Sequence, residues 1–202
     1  EIKKINALQG DVVFIPGDFV YKMPEDDLAI AFAALKQIDV PVYAVLGNHD
    51  SDPPGEYPSE VIRDAIRPYG VTFVDNKKQE FVIKNKKIML YGLSDIWEGK
   101  TDFDILKDIR EEDTTIVLVH NPDAVYEFPN QHADLIISGH THGGQIRIPL
   151  LYTYAIPTDY PFDTGLHRAN NMDVFVTPGV GVIGLPMRLF NPPRVDVLDV
   201  VF

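Results

Sequence analysis

The sequence predicts an α/β chain of two packed β-sheets with helices outside, on three observations. An apolar run, a helical pattern and a second apolar run follow one another over residues 11–46; a β pattern fills residues 71–93; and two more apolar runs, TIVLV at 115–119 and DLIIS at 134–138, come later. Each of the four apolar runs ends in a short polar turn, and open α/β sheets place ligands at the carboxyl ends of their strands.

Taken in order, Ile2, Ile5 and Leu8 form the apolar stripe of an opening helix, one already under way at Glu1 with no initiator methionine before it. Residues 11–16 (DVVFIP) read as a short buried strand leading into Gly17 and Asp18. A helix follows, with Asp26 or Asp27 as cap, Leu28, Ile30, Ala31, Leu35 and Ile38 as its buried side, and Pro41 forbidding continuation. Residues 42–46 (VYAVL) are the second strand, ending at Gly47-Asn48-His49-Asp50. Residues 52–58 (DPPGEYP) are a loop by composition, and Ser59 caps a helix that Pro68 and Gly70 terminate. EFVIK and KIMLYG around Asn85-Lys86 read as a hairpin. Residues 173–177 and 194–202 read as late strands separated by a Pro/Gly-rich loop over 178–193.

The chain has 202 residues, 45% of them hydrophobic, which fits one globular domain over 1–202; it shows no repeat and no linker. Thirty acidic against eighteen basic residues give a net charge of -12, which disfavours a broad grip on a nucleic-acid backbone. An anionic substrate therefore needs local positive charge, and bound cations supply it. With no cysteine, disulfides, thiolate metal sites and cysteine nucleophiles are excluded. No apolar run of about 18 residues spans a membrane.

Four of the six histidines sit in the polar turns after apolar strands. Imidazole suits Zn or Fe and carboxylate oxygen suits Mn or Mg, so a mixed site accepts several first-row metals. The Asp18 carboxylate has lone pairs enough to bridge two cations. In the 47–50 turn the Asn48 amide oxygen can ligate while His49 acts as proton donor, with Asp50 orienting it and raising its pKa; a capped turn with a surface histidine is the alternative. His140 and His142 are two residues apart, so in an extended segment both point to one side; a structural zinc site or a plain surface pair has the same spacing. His120 follows strand 115–119 and faces the same crevice. Gly143 permits close approach of a phosphate to the backbone. Arg147 and Arg188 can pair with phosphate oxygens or, equally, form ordinary surface ion pairs; His167 beside Arg168 is a weaker substrate-contact candidate, and His132 lies in a polar connection with no partner motif.

In order, Gly17-Asp18, GNHD at 47–50, the isolated His120 and GHTH at 139–142 resemble the signature of the calcineurin-like metallophosphoesterases. HNPD at 120–123, SGHTHGGQIRIP at 138–149 and GLPMRLFNPP at 184–193 resemble a bacterial-type subgroup of these phosphohydrolases. The resemblance implies a four-layer αββα sandwich of two mixed sheets flanked by helices. It also implies a two-metal site (Mn, Fe, Zn or Mg) in which Asp18 bridges, Asn48, His120 and His140 complete one shell, and His142 helps hold the other ion. His49 is then the proton donor. The implied activity is hydrolysis of a phosphomonoester, phosphodiester or pyrophosphate in a small molecule or lipid headgroup, with membrane proximity through an amino-terminal segment. The family's opening Asp-x-His motif has no counterpart in this chain. The expectation is a sequence lacking its first strand, with one metal better held than the other and an exposed sheet edge; the alternative is a catalytically impaired metal-binding or scaffold protein.

Overall fold

The computed structural model describes residues 2–51, 55–129 and 132–201. It has two sheets. The smaller, β1 (Val13–Ile15), β2 (Val42–Ala44) and β3 (Val71–Phe73), is parallel throughout and ordered β1-β2-β3. The larger is mixed, in the order β4-β5-β6-β7-β9-β8, from β4 (Lys77–Ile83), β5 (Lys86–Gly92), β6 (Thr115–Leu118), β7 (Leu135–Ser138), β8 (Gly165–Ala169) and β9 (Met172–Val176). β5, β6, β7 and β9 run parallel; the edge strands β4 and β8 are antiparallel to their neighbours.

The central strands β6 and β7 are buried at every position, as expected of parallel strands covered on both faces. Val45, Val74, Leu90, Leu118 and Ile137 fill the space between the sheets with Phe14, Tyr43 and Phe81. On the outer face of the small sheet, α2 (Glu25–Phe32) and α3 (Ser59–Ile66) cover Val42, Ala44 and Phe73. The outer face of the large sheet is covered by 3-10 segments carrying Leu106, Ala124 and Val125 in place of long helices. The expected layers are therefore present, with 3-10 turns as the fourth.

Several local expectations need correction. The opening helix α1 (Ile2–Ala7) forms, yet none of its residues is fully buried; Asn6 docks it instead, donating to the Gln37 carbonyl at 2.7 Å. Pro24 and Pro58, with no side-chain bond, occupy the N-caps assigned to Asp26 or Asp27 and to Ser59. The carboxylates of Glu25, Asp26 and Asp27 sit in the first turn, where the helix dipole favours them. Leu28 is buried, whereas Ile30 is 77% exposed and Ala31 is exposed, because α2 gives way at Phe32 to a 3-10 helix (Ala33–Gln37) and its apolar stripe does not continue on one face. Residues 52–54 of the predicted loop lie outside the described residues.

The β4–β5 hairpin turns at Lys84-Asn85, both with positive φ (47° and 66°), as a two-residue hairpin loop requires. A second hairpin, β8–β9, turns in the same way at Asn170 and Asn171 (47° and 61°), and β8 was not foreseen. β8 and β7 occupy both edges of β9, leaving no place beside it for the expected strand at 194–202. Residues 194–201 form no strand; they are held by the 3.2 Å bond from the Arg194 amide to the Gly179 carbonyl and by Thr177 donating to Asp196 at 2.6 Å.

Ile66 on α3 is fully buried, and Ile66→Ala should lower unfolding stability by about 2–5 kcal/mol, since it leaves a cavity in a packed layer. Ile30→Ala should change it by less than about 0.5 kcal/mol. Denaturant titration of the two variants measures both, and equal losses would show that α2 buries Ile30.

Candidate metal centre

The carboxyl ends of the parallel strands bring the polar turns to one place. β1 leads to Gly17 and Asp18, β2 to Asn48 and His49, β6 to His120 and β7 to His140 and His142. Gly17 and Gly47 make the approach possible: a Cβ on Gly47 would stand 2.7 Å from the His120 ring carbon Cε1 and 2.6 Å from the Asp18 amide nitrogen, and one on Gly17 would stand 2.8 Å from the Gly47 Cα. Gly17 also has a φ of 88°, a conformation open to glycine at little cost.

Asp50 locks this contact. Its wholly buried carboxylate accepts from the Gly47 amide at 2.9 Å and from the Val20 amide at 3.1 Å, tying the two turns together. Burial, with the charge of Asp18, pushes its pKa up to about 7. With both oxygens taken by backbone, Asp50 does not orient the His49 ring as expected.

His120, also fully buried, is fixed by its Nδ1, which lies 2.6 Å from the Pro16 carbonyl and donates to it, so that Nε2 faces the cluster. That nitrogen lies 3.1 Å from Asn48 Oδ1, 3.1 Å from His140 Nδ1 and 3.4 Å from Asp18 Oδ1. His140 Nδ1 is in turn 3.0 Å from Asn48 Oδ1. The other Asp18 oxygen, Oδ2, is 3.6 Å from His142 Nε2, so the carboxylate stands between two histidines.

His140 and His142 reach the cluster by a different geometry from the extended one expected. Their φ values are 65° and 49°, with Thr141 in the helical region between them. Thr141 holds the turn, its hydroxyl donating to the Asp163 carbonyl at 2.6 Å and accepting from the Gly143 amide at 3.2 Å.

The electrostatics follow from this crowding. Burial alone would raise the Asp18 carboxyl, but the neighbouring imidazoles, His120 first, hold it well below the ordinary carboxylate range. Burial would lower His120, and Asp18 overrides it, pushing His120 up to about 9. His140 is pushed down to about 3 by burial and by the charge of His120. Burial also lowers His49, against the expected rise; a lowered pKa makes its protonated form a stronger acid.

These donors suit a metal ion. Ligand atoms about 2.1 Å from one ion and at right angles to each other lie about 3.0 Å apart, and the Asn48, His120 and His140 separations fall at that value. Without a metal, ring N–H groups of His120 and His140 can donate to Asn48 Oδ1; with the two ring nitrogens deprotonated, the same three atoms present lone pairs to one cation. Among the described residues no three His, Asp or Glu side chains form a cage by themselves. The Asn48 amide oxygen is the donor that links the imidazoles.

His49 stands at the mouth. Its amide donates to Asp18 Oδ1 at 3.1 Å, and its ring packs edge-on against Tyr21 at 5.3 Å between centroids. A cleft bounded by Asp18, Tyr21, His49, His142 and residues 181–183 opens there.

The weaker candidates lie elsewhere or are already engaged. Arg147 is ion-paired with Asp163 at 2.7 Å and stacks on Tyr152, 4.3 Å from the ring centre, so its guanidinium is committed within the fold. His167, on β8, faces Asp163 at 3.7 Å and Phe162, away from the cluster. The Gly143 amide is spent on Thr141, and the φ of 58° explains the glycine. Arg188 donates to the carbonyls of Gly181, His142 and Pro178 at 2.8, 3.2 and 2.6 Å, clamping the cleft wall to the His142 turn. His132 is exposed, its Nε2 lying 3.1 Å from the Asn171 carbonyl.

Two residues went unrecognised. Asp95 is fully buried, with Oδ1 accepting from the Trp97 amide at 2.8 Å and Oδ2 unpartnered, and burial raises its pKa. Trp97 meets the His140 ring edge-on at 4.5 Å while remaining 55% exposed. The sequence offers their loop, residues 95–104, for substrate choice without singling out either side chain, and Trp97 is the chain's single tryptophan.

The calcineurin-like phosphoesterase family model matches residues 1–144, the stretch that holds Asp18, Asn48, His49, His120, His140 and His142. The chain belongs to the calcineurin-like phosphoesterase family. It is 29% identical over 198 residues to the phosphodiesterase YaeI of Escherichia coli, covering 95% of this chain and 70% of that protein. It is 28% identical over 207 residues to the uncharacterized metallophosphoesterase YkuE of Bacillus subtilis, covering 97% and 70%. Two solved structures share the fold: the NAD nucleotidase NadN of Haemophilus influenzae (18% identity, TM-score 0.56, 88% of this chain and 43% of that one) and TT1561 of Thermus thermophilus (11%, 0.56, 87% and 80%). The phosphoesterase described here is thus a hydrolase of phosphate esters, from a family that generally uses divalent metal ions.

Because His120 carries a proton below about pH 9, a metal ion taking its Nε2 must displace that proton. Zn²⁺ binding should therefore release a proton at pH 7 and strengthen as pH rises toward 9; calorimetry in buffers of different ionisation enthalpy reads this directly. Trp97 should report the same event as a change in fluorescence that is absent in His140→Ala. Binding without either signal would place the ion elsewhere.

Proposed function

We propose that this phosphoesterase hydrolyses a phosphodiester, carried by a small molecule or a lipid headgroup, with two divalent ions bound at Asp18, Asn48, His120, His140 and His142. The observation that carries the reading is the 3.0–3.1 Å contact among Asn48 Oδ1, His120 Nε2 and His140 Nδ1, which matches the edges of one coordination shell. The preference for a diester rests on the similarity to phosphodiesterase YaeI.

When bound, such ions supply Lewis-acid polarisation of the phosphoryl group and acidify water. The protein's own groups do the rest. Asp18, with one oxygen toward His120 and the other toward His142, is placed where it would bridge the two ions. Asn48, His120 and His140 would hold one ion, and Asp18 and His142 would hold the other. The buried backbone bond from His120 to Pro16 fixes which ring nitrogen faces inward. Water would add to phosphorus and release one proton to solvent as the ester P–O bond breaks, and the departing oxygen would take a proton from His49, whose ring has no hydrogen-bond partner among the described residues and stands at the cleft. Asp50 and Asp95 stay outside this exchange, Asp50 as the tie between the two turns.

With Mn²⁺ added, the chain should hydrolyse bis-p-nitrophenyl phosphate faster than p-nitrophenyl phosphate. His140→Ala should reduce the rate to background and weaken metal binding. His49→Gln should keep the metal and lower kcat by about 10²–10⁴-fold. Bound metal with no turnover of either ester would favour the metal-binding scaffold, and unchanged kcat in His49→Gln would remove that residue as proton donor.

A further inference from the structure

Beside the cleft, two loops turn the usual order of a protein surface inside out. Residues 178–193 form a tongue whose polar side chains point inward. Its own Asn191, 5% exposed, donates to the carbonyls of His142 and Gly143, and from beneath it Gln145, 9% exposed, bonds through its side chain to the backbone of Ile183 and Leu185. Arg188 spends its guanidinium on three backbone carbonyls of the same region. The apolar side chains point outward: Leu185, Met187 and Phe190 are 59%, 48% and 75% exposed. The neighbouring loop is joined to the tongue by the Arg147 amide donating to the Leu189 carbonyl at 2.9 Å and by the bridge of Ile146 to Leu189. It presents Leu150, Leu151 and Tyr154 at 86%, 60% and 88% exposure. Six exposed large apolar side chains on two joined loops mark an interaction surface.

Charge identifies the occupant. The chain carries thirty acidic residues, yet residues 146–158 and 178–193 contain no Asp or Glu, and Arg147 and Arg188 are their charged residues. In a protein of net charge -12, neither loop carries a carboxylate of its own, which lipid phosphates would repel and which would be costly to sink among acyl chains; the Asp163 carboxylate that reaches Arg147 is paired with it at 2.7 Å. Leucine, phenylalanine and tyrosine on loop tips are the residues that enter the headgroup boundary. The tongue also walls the cleft through Gly181, Val182 and Ile183, so a surface that seats there lies next to His142 and His49.

We infer that the two loops seat the protein on a lipid bilayer with the cleft at the headgroup level, so that the phosphoester it meets is a lipid headgroup. This deepens the proposed function and rests on it for the substrate, whereas the bilayer contact is testable apart from catalysis.

The test is co-flotation of the chain with phosphatidylcholine vesicles, and with vesicles containing one-quarter phosphatidylglycerol, against the double variant Leu150→Asp/Phe190→Asp. Both side chains are at least three-quarters exposed, so the variant should melt like the parent. The parent should float with both vesicles and the variant should lose about tenfold or more of that binding. No flotation of the parent, or equal flotation of the variant, overturns the inference. So does a concentration-dependent dimer lost in the variant without vesicle binding, which would assign the face to a second copy. Hydrolysis of a water-soluble diester, followed in parallel, should be the same for both proteins. Its absence in both would defeat the phosphodiesterase reading while flotation still decides the surface.

Discussion

The site exists because two backbone turns from neighbouring parallel strands touch without side chains between them. A Cβ at Gly17 or Gly47 would hold the ends of β1 and β2 apart, and the buried Asp50 carboxylate binds the amides of Gly47 and Val20 across the junction. A carboxylate in that position is costly to desolvate, and its two amide bonds offset the cost only while both turns stay in place. Asp18 and Asn48 are thereby delivered together to the same ring nitrogen of His120, 3.4 and 3.1 Å away, with little freedom to drift apart.

The large sheet contributes its half of the site by a second constraint, the full burial of its central strands. β6 ends in His120, which is itself part of the interior, and β7 ends in a turn whose left-handed residues are pinned by Thr141. Elements of the two sheets are thus joined more by the polar cluster at their carboxyl ends than by any shared strand. The Asp75 carboxylate makes a similar link within the small sheet, accepting from the Leu46 amide at 2.8 Å and facing Arg63 at 3.4 Å.

What the sequence disclosed was what depends on local pattern. Four apolar strands, each closing on a polar turn, were legible from periodicity and residue type, and so were Asp18, Asn48, His49, His120, His140 and His142. What escaped was set by partners distant in the chain. Arg147 could pair with phosphate or with a carboxylate of the fold, and Asp163, sixteen residues on, decides for the second. Asp50 stood beside His49 in sequence but bonds Val20 thirty residues earlier. β8 was hidden because its apolar positions are half exposed at a sheet edge, although Asn170-Asn171 carried a turn signal. The 194–201 tail had strand-like alternation, and alternation is not enough where both edges of the adjacent strand are filled. Trp97 and Asp95 lie in a short 3-10 turn whose approach to His140 no spacing rule announces.

The two hairpin turns give the molecule a polarity of another kind. Lys84-Asn85 precedes β5 and Asn170-Asn171 precedes β9, and both strands run parallel to β6 and β7, whose far ends carry His120 and His140. Both turns therefore project from the pole opposite the cleft. They are natural grafting points: a peptide tag, a fluorophore or a surface tether fixed at either would present every copy of the protein with its cleft facing outward.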